Sequence, residues 1–225
     1  MAFSGFDEDT LDFLADLRAN NSKEFFTDNR SRYDAMMETG KVFVTEAGKS
    51  LSKIAPEVHA EPKVNGSIFR INRDIRFSKD KTPYKDTFDF WFWEGERKGA
   101  LSGFYARISP DEFGVGVGAH GMDSGAIKRF RRAVADKDSG AELAKLSAKI
   151  EKAGIEIGSK HYKRYPKGLD DTGPASEFLL YNSLSAYVAQ DPAIVEDGKA
   201  LMASCRTTWR KLSPIHKWLM ANVAE

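Results

Sequence analysis

The chain has 225 residues, of which 41% are hydrophobic and 30% charged, and a formal net charge of +1. That length and apolar content suffice to bury a core and exclude a disordered chain, and the near-neutral total excludes a molecule that is basic or acidic throughout. The single cysteine, Cys205, excludes an internal disulfide. With acids near the N-terminus (MAFSGFDEDTLDF) and no apolar run of spanning length, the expectation is a cytoplasmic protein with no signal peptide and no membrane partner.

Taken in chain order, Asp7 to Arg18 combines an acidic first turn with Leu11, Phe13, Leu14 and Leu17 at helical spacing, which predicts a short helix. Asn21, followed three residues later by Glu24, resembles a capping arrangement. Tyr33, Met37, Gly40, Val44, Ala47, Leu51 and Ile54 then form one stripe, predicting a continuous helix over 22–55 that Pro56 stops. The middle reads as strands. Thr87 to Trp93 (TFDFWFW) is too aromatic and too short for another element, and Gly103 to Ser109 and Phe113 to Ala119 are joined by the turn sequence Ser109-Pro110-Asp111-Glu112. With Ile68 to Phe77 placed ahead of them, and no helix-length crossover between them, an antiparallel meander is expected.

Helices resume over 123–136 and 141–153, followed by an irregular or β segment over 155–165 and a loop marked by Pro166-Lys167-Gly168 and Thr172-Gly173-Pro174. A helical turn over 175–181 and a strand over 184–190 come next. Ile194, Leu201, Cys205, Trp209 and Leu212 make a last helical stripe, and Ser213-Pro214 reads as the cap and first residue of a separate terminal helix. No linker, repeat or low-complexity segment interrupts the chain. The expectation is a single α+β domain over 1–225, with a meander sheet of about four or five strands packed against several helices.

The near-zero net charge conceals segregation. Residues 70–85 hold six cations and two acids, for a net of +4. Residues 128–132 (KRFRR) and 160–167 (KHYKRYPK) are also +4 each, which leaves −11 for the other 196 residues. The first of these stretches, FRINRDIRFSKDKTPYK (Phe69 to Lys85), sets guanidinium groups beside large apolar residues. As a strand it would place Phe69, Ile71, Ile75 and Phe77 on one face, with Arg70, Asn72, Asp74 and Arg76 on the other. Arg73 would then need a partner or a bend. As a helix it would align Arg70, Arg73 and Arg76, but the alternation favours the strand. A guanidinium fork grips carboxylate or phosphate through two parallel hydrogen bonds. The arginines therefore either clamp acids of the chain itself or, with Lys79, Lys81 and Lys85 and the hydroxyl of Tyr84, surround a bound anion.

NNSKEFFTDNRSRY (Asn20 to Tyr33), FRINRDIRFSKDKTPYK and YPKGLDDTGPASEFLL (Tyr165 to Leu180) together resemble, in that order, the family known as domain of unknown function 2461. The similarity covers nearly the whole chain. It implies a compact protein of a mostly bacterial and fungal family, with no established activity, substrate or cofactor. By this resemblance the recurring positions include Arg70, Arg73, Asp74, Arg76, Lys79, Asp80, Lys81, Pro83, Tyr84, Lys85, Pro166, Lys167 and Gly168. The chain departs from the family pattern at AHGMDSGAIKRF, where an aromatic and a proline are expected before the next helix, so no family role passes to His120.

Other motifs carry less. GVGVGAHG (Gly114 to Gly121) follows strands and not the first turn of a βαβ unit, so it describes a strand with one bare face and not a dinucleotide loop. TGKV at 39–42 lacks the spacing of a phosphate-binding loop. His59, His120, His161 and His216 have no zinc-ligand spacing, so neither a metal nor a cofactor is expected. As a general acid or base, His161 would need a carboxylate such as Asp170 or Asp74; Asp74 and Asp80 are the other catalytic candidates. No nucleophile elbow is present.

Three readings follow. An anionic small molecule could be held by Arg70, Arg73, Arg76, Lys79, Lys81, Tyr84, Lys85 and Lys167. Alternatively, nucleic acid could be bound by the three basic stretches with their interleaved aromatics. The third possibility is a structural or interaction protein whose arginines pair internally.

Overall fold

A computed structural model describes residues 3–97, 99–158, 160–169 and 173–224. The elements are α1 (Glu8–Ala19), α2 (Lys23–Asp28), α3 (Arg30–Leu51), β1 (Phe88–Trp93), β2 (Gly103–Ile108), β3 (Phe113–Ala119), α4 (Ser124–Ala135), α5 (Lys137–Glu151), β4 (Leu184–Gln190) and α6 (Gly198–Asn222), with 3-10 turns at Ser176–Leu180 and Pro192–Glu196. The strands form an antiparallel meander in the order β1-β2-β3-β4, so the fold is α+β as expected, with four strands. Contacts divide the chain into two compact units. One comprises Met1–Gly95, Tyr105–Val115 and Ala189–Thr207; the other comprises Glu96–Phe104, Gly116–Val188 and Thr208–Glu225. No helix among the described residues is long and apolar enough to cross a membrane.

In the first unit, Phe6, Phe43, Phe88 and Phe90 meet with ring centroids 4.5 to 6.4 Å apart. Helix α1 adds Phe13, Leu14 and Leu17, all fully buried. The long helix expected over 22–55 is broken. Ser22, and not Asn21, caps α2 by accepting the Phe25 N–H at 3.1 Å. At Asn29 the chain leaves helical geometry, and the Asn29 amide donates to the Phe25 carbonyl at 2.9 Å, which closes α2 before α3 begins. The stripe itself holds through Met37, Gly40, Val44, Ala47 and Leu51, widened by Met36 and Phe43. Gly40 is required there: a Cβ would lie 2.5 Å from the Phe88 ring. The helix ends at Leu51, so Ile54 falls outside it.

The strand expected over 68–77 is absent. Phe69 N–H donates to the Asp89 carbonyl and Trp91 N–H to the Ser67 carbonyl, so this segment pairs with β1 only briefly. Beyond Phe69 the chain turns away and pairs with itself: Lys85 N–H donates to the Ile71 carbonyl at 2.8 Å and Arg73 N–H to the Pro83 carbonyl at 2.9 Å. Residues 71–85 thus form an arm, and of the expected apolar face only Ile71 is buried. Alternation predicts a strand only where a neighbouring strand supplies partners, and here none continues. The turn after β2 is as expected, with Ser109 N–H donating to the Glu112 carbonyl at 3.0 Å.

In the second unit every residue of the β3 stretch 116–119 is buried. Gly118 has φ +133°, and a Cβ there would come 2.2 Å from the Leu184 carbonyl oxygen, so the bare face serves close approach of backbone. Asp123 caps α4 by accepting the Ala126 N–H at 2.8 Å. Asp136 caps α5 through the N–H groups of Asp138 and Ser139, which starts that helix four residues before its expected position. Among the described residues, 155–165 contribute one antiparallel bridge, Ile157 to Ala186.

Helix α6 runs unbroken through Pro214, against the expectation of a separate terminal helix. Pro214 has no N–H for the Arg210 carbonyl, and the Ser213 hydroxyl donates to that carbonyl instead, at 3.0 Å.

Candidate functional site

The arm is where most predicted ligand residues lie, and its cations largely meet acids of the chain. Arg76 grips Asp74 through two parallel hydrogen bonds of 2.9 and 2.6 Å. Arg73 reaches across the arm to Asp80 at 2.5 Å and to the Thr82 hydroxyl. Lys81 Nζ donates to the Ile75 carbonyl at 2.9 Å. At the base of the arm, Asn21 brackets Tyr84 with two hydrogen bonds of 3.0 Å, one to its carbonyl and one from its N–H. The Tyr84 ring is buried and stacks on Phe26 with centroids 4.3 Å apart. The guanidinium groups thus shape the arm, and Asn21 fastens it.

Lys85 lies 2.7 Å from Asp89, which also accepts from Arg107 Nε at 2.7 Å and from the Thr87 hydroxyl at 3.1 Å. Sequence reading missed Asp89. The signal was there, a carboxylate inside an otherwise aromatic strand, because a buried charge must find partners. Burial works against its ionisation, but Lys85 and then Arg107 outweigh this and hold its carboxyl below the usual carboxylate range. The Arg76 fork lowers Asp74 to about 2. The Thr82 N–H, followed by the Arg73 and Thr82 side chains, lowers Asp80 to about 2. Neither has the near-neutral pKa that suits proton transfer at neutral pH. Arg70 and Lys79 are exposed, with no ion pair among the described residues.

The second unit brings two other basic stretches together. Ala126, Phe130, Ala133 and Val134 bury one side of α4. Lys128 and Arg132 then face water, and Arg129 and Arg131 lie half-buried at the sides. The Arg131 guanidinium sits 4.7 Å above the Tyr162 ring, joining 128–132 to 160–167. Arg131 Nε is buried and has no hydrogen-bond partner among the described residues. Arg129 Nε donates to the Val223 carbonyl at 2.7 Å near the end of α6, so Arg129 is partly structural.

A groove of about 530 Å³ beside α4 is lined by Lys128, Arg131, Arg132, Ala135, Asp136 and Leu169. The one acid lining it among the described residues, Asp136, is engaged in capping α5. Lys160 pairs with Glu177 at 2.8 Å, whereas Lys163, Arg164 and Lys167 are exposed. His161 is exposed and meets Tyr162 edge-on at 4.7 Å; Asp170, its suggested partner, lies outside the described residues. Among the described residues, no three His, Cys, Asp or Glu side chains are placed to share a metal ion. Cys205 is fully buried, and burial pushes its thiol pKa up, away from reactivity.

Searches of curated proteins and of solved structures give no match for this chain. One family, described as "Conserved hypothetical protein (DUF2461)", matches residues 9–218. With the arginine arm and the Tyr165 to Leu180 segment both inside that span, the chain belongs to the domain of unknown function 2461 family.

Proposed function

We propose that this protein binds single-stranded nucleic acid, with the phosphates tracked by α4 and the 160–167 segment. The observation that carries the reading is the Arg131–Tyr162 stack, which joins two basic stretches that contain eight cations and no acid. Cations spread over an open surface suit a ligand whose charges are also spread, and aromatic side chains between them suit unpaired bases. Tyr162 and Tyr165 are half-buried and His161 is exposed, so rings and cations alternate along the segment.

The test is a fluorescence-anisotropy titration of an unstructured oligonucleotide at several salt concentrations. The wild-type affinity should fall steeply with salt. Lys163→Glu combined with Arg164→Glu should weaken binding by about tenfold or more and flatten the log–log salt slope by roughly one to two. Salt-independent binding, or an unchanged slope in the double variant, contradicts the proposal.

A second reading places an anionic small molecule at the base and side of the arm, favoured by Arg70 and Lys79, which are exposed and without an ion pair among the described residues. A thermal-shift screen across phosphates, nucleotides, sugar phosphates and dicarboxylates tests it, since a bound ligand raises the unfolding midpoint. Under this reading Arg70→Ala abolishes the shift, while Lys163→Glu leaves it intact.

A further inference from the structure

We infer that the groove beside α4 seats a phosphate monoester, the terminal phosphate of a single strand; this rests on the single-stranded nucleic-acid reading above. Every residue that lines the groove lies in the second unit. Lys128, Arg131, Arg132 and Ala135 stand at i, i+3, i+4 and i+7 of α4, so one ridge of the helix supplies most of the lining. Leu169 adds an apolar side chain from the loop that follows the basic segment 160–167.

Like charges three and four residues apart repel along a helix. In α3, Arg30, Lys41 and Lys49 each meet an acid at that spacing, namely Asp34, Glu38 and Glu46. In α4, Lys128, Arg131 and Arg132 have no ion pair among the described residues. The negative end of the helix dipole favours Arg132 in the last turn, but Lys128 lies a turn earlier. Arg131 adds an independent sign. Its guanidinium rests on Tyr162, and its buried Nε meets no acceptor among the described residues. A buried donor without a partner destabilises the state that contains it. An anion that takes the Nε–Nη edge, as the side chain turns that edge to the groove, removes the deficit through two parallel charge-assisted bonds.

The balance of charge selects the kind of phosphate. Three cations and one acid, Asp136, leave the lining at +2. Asp136 is already committed to the N–H groups of Asp138 and Ser139 and to the Ser139 hydroxyl. An internal phosphodiester carries one negative charge, whereas a monoester carries about −1.5 to −2 near neutral pH. The monoester is the match. Its nucleoside finds apolar surface on Ala135, Leu169 and the methylene stems of the cations, in a volume of about 530 Å³ that falls in the range of small-ligand sites. The rest of the strand leads away along Lys163, Arg164 and Lys167, which are exposed.

Anisotropy titrations of the full chain use oligothymidylate of about 15 nucleotides with an internal label and three kinds of end: a 5′-phosphate, a 3′-phosphate, or hydroxyls at both ends. One phosphorylated oligomer should bind about tenfold or more tightly than the hydroxyl-ended one. Arg131→Ala should reduce that ratio to about one. Arg132→Ala, at an exposed position, should reduce it at least roughly threefold with an unchanged unfolding midpoint, which keeps the test decisive if Arg131→Ala folds poorly. Lys163→Glu with Arg164→Glu should weaken all the oligomers alike and preserve the ratio.

If wild type binds the three oligomers equally while Lys163→Glu with Arg164→Glu still weakens them, the seat is overturned and the nucleic-acid reading survives. A ratio that persists in both Arg131→Ala and Arg132→Ala also overturns the seat, since the strand end is then held elsewhere. Absence of any oligonucleotide binding by wild type overturns both. If free thymidine monophosphate binds as tightly as the phosphorylated oligomer and displaces it, the groove serves a small phosphate ester and the strand-end inference is overturned.

Discussion

Asp89 lies in β1 between Phe88 and Phe90 with 12% of its side chain in water, and Lys85, Arg107 and Thr87 all direct donors at it. Removing the charge leaves two cations facing a neutral amide. Asp89→Asn should therefore lower stability by about 1–3 kcal/mol; the partial exposure of Lys85 and Arg107 moderates the loss. Chemical denaturation of the two proteins measures this, and an unchanged midpoint would show that the cluster contributes nothing net. Lys85 was legible in the sequence as a cation in a basic stretch, but its role was not, because the choice between a ligand and Asp89 depends on where the arm folds back.

At the level of elements, helix ends and breaks depend on single hydrogen bonds. Asn29 divides the expected long helix by closing α2 on the Phe25 carbonyl, and Ser213 keeps α6 intact at Pro214 by taking the Arg210 carbonyl. Ser213→Ala should cost about 1 kcal/mol by leaving that carbonyl unpaired. Adding Pro214→Ala, which restores a backbone N–H, should recover the loss, as thermal unfolding of the single and double variants will read. If the single variant matches wild type, the hydroxyl has no such role. The apolar stripe of α3 was legible because it repeats within one helix. The arm was not, because its period-2 alternation is the same whether or not a neighbouring strand is there to pair with it.

On the scale of the whole molecule, the carboxylates that brace the structure share one direction of titration. Asp74 and Asp80 are lowered to about 2, and Asp89 is lowered as well, against an unfolded value of about 3.9. A depressed folded pKa contributes stability that is present above the unfolded pKa and lost as pH falls through the folded one. The unfolding midpoint should therefore hold from pH 6 to about 4 and decline between about pH 4 and 2. Asp89→Asn should decline less over that window, because it lacks one of the carboxylates whose protonation is linked to unfolding. A parallel decline in both proteins would assign the acid sensitivity elsewhere.

By itself the sequence determined the fold class, the four strands with nearly their observed ends, the stripe of α3 and the turn after β2. These follow from periodicity, caps and turn residues, which act within a few positions along the chain. Only the tertiary structure decided which cations meet acids. It paired Arg73 and Arg76 with acids of the arm itself, set Phe77 in water, and seated Arg131 on Tyr162. Ion pairs and ring stacks join residues that folding brings together, and neither composition nor spacing records that proximity.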